Sequence, residues 1–325
     1  MSDIPYAMLA NRPIGFGPYV QKGGQLHTFC VQGDIDLIDQ FLDQMFKEPS
    51  DGVVDYEAAM ATMFVSFAYF PSVHAMNPVD VNRGVLPERD AALWTLARRR
   101  GTLFEFRWIP LFLFVDSGSA MATGREVYGF PKQMGTFDMP IDGAPNNGPF
   151  RVSASVLNPY SPTTVAEKKP IFEFVAKKEE HGLLHEIEDV AEGVFSRIGE
   201  AIRDASHSEV VEALGGKSWL FDLPVTMAFL KQFPSTADQT KACFQSIVEA
   251  DARTLEVRNG GWTKTEYTGR IFSYDSHPFH TTFGIPEGEI DVGHALFADF
   301  DFEMELGQDI WTAGAAGHAA GMPGV

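Results

Sequence analysis

The segment GREVYGFPKQMG, residues 124–135, places one lysine, Lys132, directly after a proline and close to two aromatic residues. The proline fixes the local backbone, and Tyr128 and Phe130 supply apolar surroundings. A lysine amine attacks a carbonyl carbon only when it is neutral, and burial disfavours the charged ammonium. The segment therefore leaves two interpretations of Lys132: a solvated lysine in a turn, or a nucleophile held partly out of water.

The composition indicates a globular protein with few classes of partner. The chain has 325 residues, of which 45% are hydrophobic and 21% are charged, and this length can bury a sizeable core. A formal net charge of −19 repels phosphates, so we expect no nucleic-acid partner and no anionic membrane surface. The chain has two cysteines, no CxxC motif and no N-terminal basic segment followed by an apolar run. These features favour a cytoplasmic location.

The apolar pattern predicts a single α+β domain over residues 1–312 that is mainly antiparallel β. Alternating or continuously apolar stretches predict strands at residues 62–70, 91–99, 102–116, 150–158, 225–233, 241–257 and 294–306. A helical face is predicted at residues 33–46. A second helical pattern, at residues 179–214, predicts a helical insertion at about 165–220. The Gly- and Ala-rich tail, residues 313–325, is predicted to be flexible.

Other chemistries have weaker support in the sequence. His277 and His280, with Asp275 nearby, could ligate zinc or iron, but Pro278 opposes a helical ligand face and no third distant ligand is marked. Histidines satisfied within a loop are the preferred interpretation. The chain has no G-x-S-x-G, no phosphate-binding P-loop and no G-x-G-x-x-G motif. We therefore expect neither a metal nor a nucleotide cofactor.

The longer segment VDSGSAMATGREVYGFPKQMG, residues 115–135, resembles the signature of the acetoacetate decarboxylase superfamily. An acid-ended strand leads into Gly-Arg-Glu and then into an aromatic residue, proline and lysine. Weaker similarities follow the family's order at residues 17–19, 223–235, 269–286 and 293–311. The resemblance implies a cone-shaped β-barrel or double sheet with a helical insertion, and a homo-oligomer. It also implies a cofactor-independent carbon–carbon lyase acting on a small keto acid.

The resemblance also assigns roles to the reacting residues. Lys132 matches the lysine that forms a Schiff base with a ketone, and the iminium then accepts the electrons released by decarboxylation. Glu88 matches the pocket glutamate and would be the general acid/base, with Glu105 as the alternative. Phe130 would form part of the apolar wall. Gln133 stands where acetoacetate decarboxylase has a second lysine, so desolvation alone would have to favour the neutral amine.

The remaining motif residues have binding or structural roles in this interpretation. Gln133 would contact the substrate through a hydrogen bond. Arg125 and Glu126 would either contact the substrate or, as preferred, hold the motif turn as an ion pair. An early arginine and one further glutamate of the family are missing, at residues 23–25 and at Val65–Ser66. These departures leave open an aldolase or dehydratase on another keto acid, or a non-catalytic protein that binds a small ligand.

Overall fold

The computed structural model describes residues 5–103, 105–141, 148–178, 182–184 and 225–314. These ranges consist mainly of strands, with short helices between them. The strands are β1 (Tyr19–Gln32), β2 (Tyr56–Ala58), β3 (Thr62–Ala75), β4 (Val85–Arg99), β5 (Phe106–Val115), β6 (Lys132–Met134), β7 (Thr136–Asp138), β8 (Phe150–Val156), β9 (Glu167–Ala176), β10 (Val225–Pro234), β11 (Ala242–Ile271), β12 (Ile290–Met304) and β13 (Gln308–Thr312).

The helical segments of the described residues are all short. The α-helices are α1 (Ile35–Leu42), α2 (Gly118–Thr123) and α3 (Phe279–Phe283), and α1 and α2 continue into five-residue π-helical turns, Asp43–Lys47 and Gly124–Tyr128. The Asp34 side chain caps α1, because its carboxylate accepts from the backbone N–H groups of the first turn. None of the helices in the described ranges has the length and apolar character needed to cross a membrane.

Seven strands pair in a ring that closes on itself. Their order is β10–β5–β4–β3–β1–β12–β11, and β11 also pairs with β10. All neighbours in this ring are antiparallel except β10 and β5. β9, β8 and β7 extend the sheet outward from β11, and β6 adds to β5 in parallel. This closed arrangement confirms the prediction of a mainly antiparallel sheet forming a barrel.

Side chains on the two faces of β3, β4 and β5 enter different clusters. Successive strand residues point to opposite faces, so Val65, Leu93 and Phe114 join the main core. That core is rich in phenylalanine, and the rings of Phe29 and Phe174 stack with centroids 4.1 Å apart. Ala92, Leu113 and Val115 form a smaller cluster on the other face, against Trp94 and Phe130. Both faces are buried, which explains the continuously apolar run in β5.

The strands and the first helix predicted from the sequence are confirmed, but the predicted insertion begins too early. Residues 167–176, inside the expected helical range, form β9 between β8 and β11. Pro170 interrupts the alternation of β9 and lies at a shift in its pairing with β8. Periodicity alone missed the strand for this reason. Most of the helical pattern, residues 179–181 and 185–214, and nearly all of the Gly/Ala-rich tail lie outside the described residues.

Candidate active site

Strand pairing places Lys132 in one row with residues of three neighbouring strands. Lys132 opens β6 and pairs with Leu113 of β5, which pairs with Ala92 of β4. Ala92 pairs in turn with Ser66 of β3. Directly paired side chains share a face of the sheet, and here that face holds the smaller apolar cluster. The lysine therefore enters the barrel beside buried apolar side chains and not on its solvent side.

Lys132 forms a buried ion pair with Glu88. Its Nζ lies 2.6 Å from Glu88 Oε1, and the two side chains are only 12% and 10% exposed. Breaking a buried pair of this kind by removing one partner typically costs about 3–5 kcal/mol, because the other charge stays buried without compensation. The sequence suggested that desolvation alone acts on Lys132, but in the structure the Glu88 carboxylate acts on it as well. A carboxylate that can accept a proton lies in direct contact with the amine.

Aromatic side chains form a wall beside the ion pair. The Phe130 ring lies 5.5 Å from Lys132 Nζ and contacts the Phe229 ring, with centroids 4.1 Å apart. Trp94 of β4 lies on the same face and donates from Nε1 to Ser66 Oγ at 2.8 Å. The position of Phe130 agrees with the wall expected for it. These contacts place aromatic rings next to the Lys132 side chain.

Gly124 leaves the space through which the Lys132 side chain passes. A Cβ atom at Gly124 would lie 2.5 Å from Cδ and 2.9 Å from Cε of Lys132. Gly129 serves the same motif differently: its φ of 95° is left-handed, and a Cβ there would lie 2.7 Å from Lys231 Cα. Gly124 is therefore needed because a larger residue would occupy the space of the Lys132 side chain. Gly129 is needed because the turn before Lys132 requires a left-handed backbone conformation.

We expect Gly124→Ala to displace Lys132 from Glu88 and to reduce Schiff-base formation at Lys132 by about 10-fold or more, because a misplacement of the reacting group by about 1 Å can cost about 10²-fold. The control is Gly118→Ala, where an added Cβ meets no atom within 4 Å. Both variants are compared by the rate of reductive trapping with pyruvate and borohydride. Equal rates for the two variants would contradict the role assigned to Gly124.

The structure does not contain the ion pair expected between Arg125 and Glu126. Both side chains are exposed, and neighbouring residues in a helical turn project in different directions. Arg125 Nη1 instead donates to the Lys132 carbonyl oxygen at 3.2 Å. Arg125 therefore holds the motif turn through the lysine's own backbone, and neither residue faces the Lys132 amine.

Gln133 lies on the face of β6 opposite to Lys132, which does not fit the expected substrate contact. It pairs with Phe114 of the main core, and its Oε1 lies 3.0 Å from His277 Nε2. The other ring nitrogen of His277 contacts Ser276 Oγ at 2.9 Å. The alternation of side chains along a strand accounts for the difference, because the residue after Lys132 must point the other way.

Two other candidate sites do not add to the one at Lys132. The His280 ring contacts the Ile271 carbonyl oxygen at 2.8 Å, and the His277 ring contacts Gln133. The two rings are therefore engaged with different partners and do not face a common metal position. In the described part of the chain no three His, Cys, Asp or Glu side chains are grouped as a metal site. A cavity of about 210 Å³ between β9 and β11 shares no residue with the Lys132 site; it is lined by Glu173, Val175, Thr268, Gly269, Arg270 and Glu289.

The structure separates the two glutamates considered for the pocket. Glu88 contacts Lys132 directly, whereas Glu105 precedes β5 and lies 3.7 Å from Arg99, with both of those side chains 38% exposed. The strand predicted over residues 102–116 begins only at Phe106, so Glu105 lies just outside β5. Glu88 is therefore the acid that the fold brings to the lysine.

Asp90 lies on the same face of β4 as Glu88 and was not predicted from the sequence. It lies two residues after Glu88 on β4, and burial, with the charges of Glu88 and Asp116, raises its pKa to about 7, while Lys132 partly opposes the shift. Because alternate strand residues share a face, an acid two positions from Glu88 was a usable signal in the sequence. Two carboxyl groups therefore lie on the lysine's side of β4.

We expect Asp90→Asn to stabilise the protein more at pH 8 than at pH 4. The folded-state pKa of about 7 lies above the unfolded value of about 3.9, so the folded state binds the proton more tightly. Stability is consequently lost as the pH rises through this window, by at most about 4 kcal/mol. Urea unfolding at both pH values measures the change, with Glu287→Gln as an exposed control. A gain that is equal at both pH values would be contrary to this expectation.

The geometry can be compared with solved structures. One is acetoacetate decarboxylase from Legionella pneumophila, with a TM-score of 0.61 and 12% identity over 96% of this chain and 94% of that chain. The chain has the acetoacetate decarboxylase fold. An acetoacetate decarboxylase-like enzyme from Sphingomonas wittichii RW1 gives a TM-score of 0.54, with 11% identity over 93% of this chain and 96% of that chain.

A third similar structure is the enduracididine biosynthesis enzyme MppR in complex with pyruvate. It gives a TM-score of 0.53, with 13% identity over 93% of each chain. No family model matches the sequence, and no curated protein matches it either. The acetoacetate decarboxylase fold is thus established by structure, at identities where sequence comparison finds nothing.

Proposed function

We propose that this protein is a cofactor-independent carbon–carbon lyase that forms a Schiff base between Lys132 and a small keto acid and decarboxylates it. The observation that carries the proposal is the contact of 2.6 Å between Lys132 Nζ and Glu88 Oε1, buried beside Phe130. An amine in such a position has a proton acceptor at hand and little water around it. A base that can take the ammonium proton and desolvation of the amine both support nucleophilic chemistry at a lysine.

The reaction begins with transfer of a proton from the Lys132 ammonium to Glu88. The neutral amine attacks the ketone carbon of a β-keto acid, and loss of water gives an iminium. The electrons of the bond to the carboxylate then move into the iminium, carbon dioxide leaves, and an enamine remains. Protonation of the enamine carbon and hydrolysis release the ketone and regenerate the amine.

An aldolase or dehydratase acting on another keto acid is the second candidate. The MppR structures that resemble this fold contain pyruvate or the condensation product of pyruvate and imidazole 4-carboxaldehyde. Within this chain, Gln133 occupies the position after Lys132 and points to the opposite face, so no second amine follows the first. Aldol chemistry needs the same iminium and enamine, but it retains the carboxylate. A non-catalytic protein with the same pocket would bind the acid without turnover.

Product analysis distinguishes these functions. The protein is incubated with acetoacetate, and separately with pyruvate and an aldehyde, beside a Lys132→Ala control. We expect carbon dioxide and acetone from acetoacetate with the wild-type protein only. A condensation product without carbon dioxide would favour the aldolase. Tight binding of either acid without any product would contradict an enzymatic role with these substrates.

A further inference from the structure

Asp90 has a position on the site face that the preceding mechanism does not use. Its partners across the sheet are Ala68 of β3 and Val115 of β5, and neither offers a polar group. Among the described residues, no hydrogen bond or ion pair reaches the Asp90 carboxyl group. The group is nevertheless within electrostatic range of Lys132 and Glu88. Asp90 is therefore an acid held beside the reacting amine without a structural partner there.

The other two carboxylates nearby have partners. Glu88 is engaged with Lys132 at 2.6 Å. Asp116 accepts two hydrogen bonds from Arg89, from the backbone N–H and from Nη1, each at 2.9 Å. The charged groups around Asp90 in the described residues are thus Glu88, Lys132, Asp116 and the Arg89 bound to Asp116. Of the three acids, Asp90 is the one without a hydrogen-bond partner among the described residues.

Schiff-base formation needs more than the proton acceptor that Glu88 supplies. The oxygen that leaves the carbinolamine must be protonated, and an acid other than Glu88 allows Glu88 to keep the proton that it took from the ammonium. We propose that Asp90 is this second acid, donating its proton to the departing oxygen directly or through one water. The proposal rests on the Schiff-base function proposed for Lys132, and it assigns the acid role to a different strand position from Glu88.

The step balances with one proton from each of two groups. The neutral amine forms the bond from nitrogen to the carbonyl carbon and gives one of its two protons to the oxygen. Asp90, as a neutral carboxylic acid, gives the second proton, the carbon–oxygen bond breaks, and water leaves. The products are the protonated imine and the Asp90 carboxylate, so the total charge is unchanged. Hydrolysis returns the proton to Asp90 by the reverse path.

Burial supports this role because it keeps Asp90 partly protonated near neutral pH. Its pKa is raised to about 7 by desolvation first and then by the charges of Glu88 and Asp116. An acid with a pKa near the working pH is present in both protonation states and can donate and recover a proton in each cycle. A carboxyl group titrating near its ordinary value of about 3.9 would be almost fully ionised and could not donate.

The test measures the rate of Schiff-base formation against pH. Pyruvate and acetoacetate serve as probes, borohydride stops the reaction, and mass spectrometry counts adducts on Lys132 in the wild type, Asp90→Asn and Asp90→Glu. We expect the wild-type rate to fall above pH 7, as Asp90 loses its proton. Asp90→Asn should form the adduct about 10²-fold more slowly at pH 6.5, and its rate should not fall above pH 7. Asp90→Glu should recover part of the lost rate and of the pH dependence.

Each outcome decides one of the two proposals. Adducts on Lys132 with the same rate and pH profile in Asp90→Asn would overturn the role of Asp90 and leave the Schiff-base function intact. The absence of wild-type adducts with both acids would overturn the Schiff-base function, and the Asp90 proposal with it. If Asp90→Asn fails to fold, ¹³C NMR of the wild-type carboxyl group decides: titration near pH 7 supports the proposal, and titration near pH 4 overturns it.

Discussion

Lys132→Ala is expected to lower turnover of the acid that the wild-type protein converts by at least about 10³-fold, because it removes the amine proposed to form the covalent intermediate. The variant should also lose the borohydride-stable adduct. It leaves Glu88 buried without its partner, so it should be less stable as well. Steady-state kinetics and adduct mass together measure the effect.

Lys132→Arg separates the nucleophile from the ion pair. Arginine keeps a positive charge for Glu88, but its guanidinium stays protonated and does not attack carbonyls. We expect Lys132→Arg to recover more of the stability than Lys132→Ala and none of the turnover. Activity in Lys132→Arg would show that the lysine acts only as a charge, and the Schiff-base account would then be wrong.

Glu88→Gln is the second change with a large expected effect. Its amide cannot accept the ammonium proton of Lys132, so we expect turnover to fall by about 10²- to 10⁴-fold, the usual contribution of a general acid or base. The charge of Lys132 would also remain buried without compensation. Turnover and thermal unfolding are measured on the same preparation, so that loss of function is separated from loss of fold.

Glu105→Gln is the matched control for Glu88→Gln. Glu105 is paired with Arg99 at the surface, where such an interaction contributes about 0–1 kcal/mol. We expect Glu105→Gln to change neither turnover nor stability measurably. If Glu105→Gln were the more damaging of the two changes, the assignment of Glu88 as the pocket acid would have to be reversed.

Local patterns were sufficient for most of the fold. The β-branched and aromatic residues at 62–70, the alternation at 150–158 and the continuous apolar run of β5 predicted strands that the structure contains. The strand β9 was missed because its identity depends on pairing with β8 and β11 on both sides. The ring also depends on the pairing of β10 with β5 and of β1 with β12, which are far apart in sequence and which residue periodicity does not predict.

The sequence predicted those residues of the candidate site that belong to a motif or to an aligned apolar pattern. The motif located Lys132 and Phe130, and the alignment of the apolar pattern located Glu88. The substrate contact predicted for Gln133 does not fit its place in β6, because alternating side chains of a strand point to opposite faces and Gln133 directly follows Lys132. Asp90 was missed although the sequence shows that it lies two residues after Glu88 and so shares its strand face. Its raised pKa depends on neighbours in space, which the sequence does not show.

A second partly buried lysine, Lys231, lies close to the motif, so a trapping experiment must show which of the two lysines carries the adduct. Lys231 lies against the same motif, donates from Nζ to the Val127 carbonyl oxygen at 3.1 Å, and has a pKa lowered by burial. Lys231 is therefore a competing candidate for the nucleophile. Of these two lysines, Lys132 is the one that has a carboxylate oxygen 2.6 Å from its Nζ and lies on the face of Ala92 and Leu113.

Reductive trapping followed by peptide mapping tests the central claim most directly. The wild-type protein is treated with acetoacetate or pyruvate and borohydride, and the modified peptide is identified by mass spectrometry. We predict one adduct per chain, on Lys132, that is absent from Lys132→Ala and retained in Lys231→Ala. An adduct on Lys231, low labelling spread over many lysines, or no adduct with either acid would contradict Schiff-base chemistry at Lys132.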